Sequence, residues 1–544
     1  HERAVQLIEP LARELLGRNE AATLHRWLTA LPVSLVQARI SLRLKLAWAQ
    51  ALTARFSEAT DTLDALDIAL NDSPALEPGL TPDAVRGELC AIRATIAIRR
   101  GEWTEASNLL HAAWELVPAE TAMLRGVVAA QRGIAALFQG DLITAAPWFE
   151  QAIELSQASH NPRTALTSFN NLGASQALRG QLHATADTYR RALAYADQHV
   201  TTLDRQPRAM TNMLHIGLGE TLYEWNELDA AEIEVRQGWC ASDDQACDEQ
   251  AQLAGYLMLA RLRQARGDLD RAIAVLDDGE KFGERCASHW AILCDVRTLR
   301  ARYQLQQGDV AAVVRWVTSI GLALDAPAAE LCAQASAYLV RARLLITQRD
   351  PQALDLLARL SAALEISQHR GVQIEAQVVL AQAQQQHGQT TAALNTLQHV
   401  LELAAPELYT RVFLDEAHVR PLLIELRWQL RSSGESLVIN QIDRLLAAMG
   451  VATIAPQSAG VIPGALLEPL NERELDVLRL IADGRSNHDI AQELIVAVST
   501  VKWHINNLYA KLDVHSRTLA IARARELGLL QTMYSVGSYQ SRTL

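Results

Sequence analysis

The side chains best suited to recognise another molecule lie close together near the end of this 544-residue sequence. Between residues 498 and 512, apolar residues recur at Val501, Ile505, Leu508 and Leu512. Spacings of four, three and four residues are typical of one buried face of an α-helix. The opposite face then presents a polar and aromatic set: Thr500, Lys502, Trp503, Asn506, Asn507 and Lys511.

This set carries the chemistry of DNA base recognition. Lysine can donate to guanine acceptors or to phosphate, and asparagine can pair with adenine through two hydrogen bonds. A large apolar ring can contact a thymine methyl group or a sugar. The alternative interpretation is an ordinary solvated helix face. Because the surrounding elements also fit a DNA-binding domain, we predict that this is a recognition helix.

Three further helices are predicted around it. Helix one spans about 472–483 and ends at Gly484, helix two spans about 487–494, and the last helix spans about 517–527. Ser486 followed by Asp489 is a capping signal for helix two. A support helix before two helices joined by a short turn is the helix-turn-helix arrangement.

The charges of this region divide along the chain. Acidic residues outnumber basic ones between 468 and 493, whereas basic residues outnumber acidic ones between 498 and 530. We therefore expect the phosphate backbone of DNA to lie against the later helices. Three flanking residues are candidates for contacts with that backbone: Ser486, Asn487 and Arg517.

The rest of the chain is organised by a repeat of about 40 residues. Its signal is a predicted helix–helix turn at Ala54, Gly101, Gly140, Gly180, Asn226, Gly267, Gly308, Arg349 and Gly388. The seventh residue before each turn is small: Ala47, Ala94, Gly133, Gly173, Gly219, Ala260, Ala301, Ala342 and Ala381. A small side chain lets a partner helix approach closely. Alanine recurs five residues after most turns, and a bulky residue such as Phe149 or Tyr189 recurs nine residues after.

This register resembles the tetratricopeptide repeat family, with a longer period than its usual 34 residues. Residues 1–400 are therefore predicted to form a superhelical solenoid, and 401–450 its helical end. Residues 451–465 form a linker rich in Pro and Gly, 466–531 the DNA-binding domain and 532–544 a tail. The predicted fold class is all-α.

Composition excludes several other classes of protein. The net charge is −12, and lysine occurs only at Lys45, Lys281, Lys502 and Lys511. The six cysteines form no C-x-x-C pair and are interpreted as reduced core residues. No apolar run reaches the length of a membrane span, so a cytoplasmic location without membrane contact is predicted. We find no catalytic motif, so no catalytic residue or metal ligand is assigned.

The stretch LNERELDVLRLIADGRSNHDIAQELIVAVSTVKWHINNLYAKLDVHSRT resembles the DNA-binding domain of LuxR-family bacterial regulators. The R-E pair of helix one, the G-x-S-N before helix two and the T-V-K-x-H of helix three carry the likeness. Two positions depart from the family: Ala497 replaces the usual Ser cap, and Asp513 replaces a Gly that ends the helix.

Repeats followed by such a domain resemble the large ATP-dependent LuxR regulators. That resemblance implies a transcription regulator, and an activator is favoured over a repressor. Its repeats would sense an inducer or a partner protein, and its DNA-binding domains would pair on double-stranded promoter DNA and contact RNA polymerase. The alternative is a protein-interaction scaffold with an accessory DNA-binding domain. In that family an ATP-binding module precedes the repeats. This sequence lacks G-x-x-x-x-G-K-[ST] and begins with His1 in a helical pattern. We therefore expect no cofactor here, and ATP only in a module before this fragment.

Polar and aromatic residues at neighbouring predicted hairpins, among them Tyr223 and Trp225, are an open candidate for an inducer site. Ordinary packing is the favoured interpretation, and the inducer remains unidentified.

Overall fold

The structure is a computed structural model. It describes residues 2–17, 20–71, 76–199, 207–239, 249–285, 290–430, 436–451, 470, 472–494 and part of 496–529. Every regular element in these residues is a helix, which confirms the all-α fold class. None of the helices in this part of the chain is long and apolar enough to cross a bilayer. The chain divides into two compact units, His1–Thr453 and Ile454–Leu544.

The first unit is a succession of antiparallel helix pairs. Its helices are α1 (Glu2–Gly17), α2 (Ala21–Thr29), α3 (Val33–Gln37), α4 (Ile40–Leu52), α5 (Phe56–Asn71), α6 (Pro82–Arg100), α7 (Trp103–Leu116), α8 (Ala122–Phe138), α9 (Leu142–Ala158), α10 (Pro162–Leu178), α11 (Leu182–Gln198), α12 (Pro207–Glu224), α13 (Leu228–Gly238), α14 (Glu249–Ala265), α15 (Leu269–Arg285), α16 (Trp290–Gln307), α17 (Val310–Ile320), α18 (Ala328–Ala333), α19 (Ala335–Thr347), α20 (Gln352–Ile366), α21 (Arg370–Gln386) and α22 (Thr390–Ala404). Each helix packs mainly on its neighbours in sequence, as in a solenoid.

The predicted turns are confirmed at all nine positions. Each of these residues has a positive φ, between 56° at Arg349 and 91° at Gly308. Six are glycines, which adopt this left-handed conformation without steric cost. Ala54, Asn226 and Arg349 adopt it with a side chain present, so the packing of the helices on either side imposes the turn.

The small residues before the turns are where paired helices approach most closely. Ala47, Ala94 and Ala381 are fully buried, as are the alanines after the turns at Ala59 and Ala272. The bulky residue nine positions after the turn is buried in most repeats. Val317 is an exception: it is only half-buried, and Val313 takes the core position one turn earlier.

The predicted helical end of the solenoid consists of several short elements. After a 3-10 turn at Ala405–Glu407 come α23 (Arg411–Leu414), a second 3-10 turn at Ala417–Val419, α24 (Arg420–Gln429) and α25 (Leu437–Ala448). Ser436 caps α25, and Gly450 follows it with a φ of 72°.

In the second unit, the described helices are α26 (Glu472–Ala482), α27 (Asn487–Glu493) and α28 (Arg517–Glu526). They match predicted helices one, two and four, and Gly484 adopts a positive φ of 79° after α26. The boundaries predicted for the linker, the DNA-binding domain and the tail stay predictions.

Candidate nucleic-acid interface

The predicted recognition helix is held by its apolar face. Val501, Ile505, Leu508 and Leu512 are all buried, as predicted from their spacing. They share one core with Val477 and Ile481 of α26, Ile490 of α27, and Ala520 and Ala524 of α28. Because these four residues point inward, the other face of this segment is the one that can meet a ligand.

The six predicted base-reading residues, Thr500, Lys502, Trp503, Asn506, Asn507 and Lys511, lie outside the described residues. The same holds for Ala497 and Asp513, the two departures from the LuxR pattern. Their role in DNA binding therefore stays a prediction.

Helix α27 begins with a reciprocal cap, as its sequence predicts. The Asp489 backbone N–H donates to Ser486 Oγ at 3.3 Å, and the Ser486 N–H donates to Asp489 Oδ2 at 2.9 Å. The Ser486 hydroxyl also donates to the same carboxylate oxygen at 2.7 Å. These hydrogen bonds from Ser486 lower the pKa of Asp489. Ser486 is exposed and Asn487 half-buried at the start of this helix, and contact of these two residues with the DNA backbone stays a prediction.

Arg517 joins the first and last helices of the unit. Its Nη2 donates to the Ile481 carbonyl at 3.3 Å and also to the Arg485 carbonyl. These contacts hold Arg517 against the end of α26 and the turn that follows it. The guanidinium has further donors, so this position is compatible with a phosphate contact, which stays a prediction.

Sequence reasoning missed a charged network inside the first unit. Arg343 contacts Glu375 and Glu416, each at 2.6 Å, and Arg302 contacts the same two carboxylates at 3.1 and 2.9 Å. The Arg343 and Glu416 side chains are 10% and 7% exposed, so this is a buried network. It joins α16, α19 and α21 to the segment before α24.

The network stabilises the charged forms of Glu375 and Arg302. Burial raises the pKa of Glu375, but Arg343 and Arg302 outweigh that effect and bring the pKa to about 2. Burial lowers the pKa of Arg302, but Glu375 and Glu416 outweigh it and the net shift is upward. The available sequence signal was the charged motif R-V-F-L-D-E-A at 411–417, which does not reveal its partners.

The described residues show no group of three His, Cys, Asp or Glu side chains that could hold a metal ion. In the same part of the chain, Cys90, Cys294 and Cys332 are free and half-buried.

Comparison with known proteins assigns both units. Residues 87–429 match the family model of the MalT-like TPR region, and residues 468–524 match that of bacterial regulatory proteins of the luxR family. The chain belongs to the MalT-like TPR family. Its C-terminal unit is a LuxR-type DNA-binding domain, which confirms the resemblance seen in the sequence.

The chain is homologous to part of known transcription regulators. It is 27% identical to the HTH-type transcriptional regulator MalT of Serratia proteamaculans (strain 568), over 95% of this chain and 57% of that protein. The MalT of Yersinia pestis (strain Pestoides F) gives the same identity and coverage. The chain thus spans little more than half the length of these curated relatives.

Among solved structures, the MalT-like chain is similar to a Rap protein complexed with competence and sporulation factor. The TM-score is 0.44 at 13% identity, covering 72% of this chain and 99% of that one. The apo form of the quorum sensor NprR from B. thuringiensis gives a TM-score of 0.44 at 13% identity, covering 74% and 99%.

Proposed function

We propose that this chain forms the sensing and DNA-binding parts of a bacterial transcription activator that works in the cytoplasm. The observation that carries the proposal is the match of residues 468–524 to the luxR family, in a unit where the predicted recognition helix buries its apolar stripe. With that stripe buried, the polar set around Lys502 and Asn506 is left to read base edges in the major groove.

In this proposal the repeats are the sensor. A solenoid of helix pairs presents an extended concave surface, which suits an inducer or a partner protein. The signal would pass to the DNA-binding domain, which pairs with a second copy on promoter DNA and contacts RNA polymerase. The alternative, an interaction scaffold with an accessory DNA-binding domain, predicts no preference for promoter sequence.

We further propose that this chain has no enzymatic activity of its own and binds no cofactor. Its sequence contains no phosphate-binding loop of the Walker type. ATP, if the complete regulator uses it, would bind a module preceding these residues.

The test begins with selection of high-affinity duplexes from fragmented promoter DNA by the purified chain. Binding of the selected duplex is then measured by fluorescence anisotropy for wild type, Lys502→Ala and Lys281→Ala. Lys281 is an exposed solenoid residue paired with Asp278, so this control removes the same charge far from the predicted interface.

We expect Lys502→Ala to weaken binding by about 1–3 kcal/mol while Lys281→Ala leaves it unchanged. Equal affinity of all three proteins, with circular dichroism spectra intact, contradicts the assignment of the recognition helix. Failure of wild type to select any sequence supports the scaffold instead.

A further inference from the structure

The superhelix of the first unit brings distant repeats into contact. Helix α21 packs on α10, which lies far earlier in the chain. At this contact, a Cβ added to Gly180 would lie 2.7 Å from Arg370 Cγ, and the Tyr409 hydroxyl is also close. Residues 405–419, which we call the strap, lie at this junction between the early and late repeats.

Backbone and side chains tie the strap to α12 and the turn that follows it. The Thr410 N–H donates to the Glu224 carbonyl at 3.0 Å. Tyr223 Oη donates to Asp415 Oδ2 at 2.9 Å, and Trp225 Nε1 donates to the Glu407 carbonyl at 3.0 Å. Tyr223 and Trp225 are therefore committed to the strap, which agrees with the packing interpretation of these two residues.

The other side of the strap is held equally firmly. Glu416 accepts from Arg302 and Arg343, as described above, which ties the strap to α16 and α19. Gln441 of α25 donates to the Tyr409 carbonyl. The strap continues directly into α24 and α25, the last described helices before the second unit. Release of the strap would thus free the end of the solenoid from α12.

Glu224 is a buried carboxyl group at this contact whose negative charge would oppose docking of the strap. Its Oε2 is buried and has no hydrogen-bond partner within the described part of the molecule. The charged or titratable groups that face it are Asp415 and Tyr409 of the strap, Arg261 of α14, Glu375 of α21 and Glu220 of its own helix. Carboxylates outnumber the single guanidinium among them.

Burial, and then the Asp415 carboxylate, raise the pKa of Glu224 to about 8, against the opposing effect of Arg261. Glu224 is therefore mostly protonated at neutral pH while the strap is docked. Loss of that proton places a negative charge beside the Asp415 carboxylate, which Arg411 and Tyr223 already contact.

We propose that the strap is a latch between the early and late repeats, and that loss of the Glu224 proton opens it. This goes beyond the function proposed above, because it concerns whether the solenoid is closed or open and not which DNA the chain binds. A charged ligand placed beside Glu224 would act on the same latch, because it would change the proton affinity of this carboxyl group.

The sign of the pH effect follows from linkage. In the open state Glu224 meets solvent and regains its ordinary pKa near 4.5, so opening releases one proton between that value and about 8. Raising the pH therefore favours opening, by about tenfold per pH unit within the window, and the effect levels off above it. Glu375 titrates near 2, which lies outside the window.

The test is hydrogen–deuterium exchange of the full chain between pH 6.5 and 7.5, expressed as protection factors so that intrinsic exchange rates cancel. The Thr410 amide reports the latch directly, because its acceptor is Glu224. We expect its protection to fall about tenfold over this range in wild type and to stay constant in Glu224→Gln, which remains neutral.

Two further variants complete the test. Asp295→Asn is the matched control, since burial also raises the pKa of Asp295, to about 6, but no strap residue contributes to that shift. It should keep the wild-type slope. Tyr223→Phe removes one strap hydrogen bond and should lower Thr410 protection at both pH values without changing the slope. Constant protection in wild type, an unchanged slope in Glu224→Gln, or no effect of Tyr223→Phe would each overturn the latch.

Discussion

Gly133 lies directly beneath the aromatic ring of Phe149, so closely that a Cβ at Gly133 would be 2.5 Å from the Phe149 Cε1 atom. The next repeats do the same: a Cβ at Gly173 would be 2.6 Å from Tyr189, and one at Gly219 would be 2.7 Å from Val235. Each pair joins the small residue before a turn to the bulky residue after it. The register seen in the sequence is therefore a steric fit between paired helices.

Gly133→Ala should destabilise the solenoid by about 1–3 kcal/mol, because the added methyl group overfills a packed interface. Urea denaturation followed by tryptophan fluorescence measures the loss. In the double variant Gly133→Ala with Phe149→Leu, the smaller side chain makes room for the methyl group. Its loss of free energy of unfolding should therefore be smaller than the sum of the losses in the two single variants. Wild-type stability of Gly133→Ala would show that the small residue is not required for packing.

Local patterns predicted much of this molecule. The turns, the small residues and the capped helix α27 depend on neighbours within the same helix pair, so one sequence reveals them. The partners of the strap could not be predicted, because Tyr223 and Asp415 are separated by 192 positions. Nothing in the spacing of R-V-F-L-D-E-A indicates which repeat it meets. For the DNA-binding face, sequence predicted the buried stripe, whereas the role of each base-reading residue depends on the duplex.

Arg343→Met should destabilise the first unit by about 3–5 kcal/mol, because Glu375 and Glu416 would then share only Arg302 in a buried site. Urea denaturation of the full chain measures this loss. Arg86→Met is the control, since Arg86 pairs with Asp83 at 3.6 Å on the surface and such pairs contribute about 1 kcal/mol or less. Equal losses in the two variants would mean that the buried network adds no stability.

The same network predicts how the free energy of unfolding changes at low pH. The pKa of Glu375 is about 2 in the folded chain and near 4.5 when unfolded, so its contribution to stability is present above about pH 4.5. It is lost as the pH falls from that value towards 2. The difference in free energy of unfolding between wild type and Glu375→Gln should therefore be largest near pH 6 and shrink at pH 3. A difference that does not depend on pH would rule out this charge as its cause.

The purified chain should not turn over ATP. Neither unit supplies the sequence of a phosphate-binding loop, and none of the four lysines follows a Gly-rich turn. Phosphate release is measured with and without selected promoter DNA, against a mock preparation from cells that lack the chain. Steady release above the mock preparation in two independent purifications would show that a nucleotide site has been overlooked.

DNA binding should require two copies of the domain on one duplex, because a single recognition helix reads only a few base pairs. The apolar residues of α28 divide into two groups. Ala520 and Ala524 are fully buried in the domain core, whereas Leu519 is 44% exposed. The exposed apolar area around Leu519 is far below the area of a stable dimer interface, so we expect pairing on DNA and not in free solution.

A gel shift should then show binding roughly 100-fold tighter to a duplex with two half-sites than to one with a single half-site. Leu519→Asp should reduce that advantage. Leu437→Asp, at a 66% exposed position of the solenoid, should retain it. Equal affinity for both duplexes, with one protein bound to each, would exclude cooperative pairing by this domain.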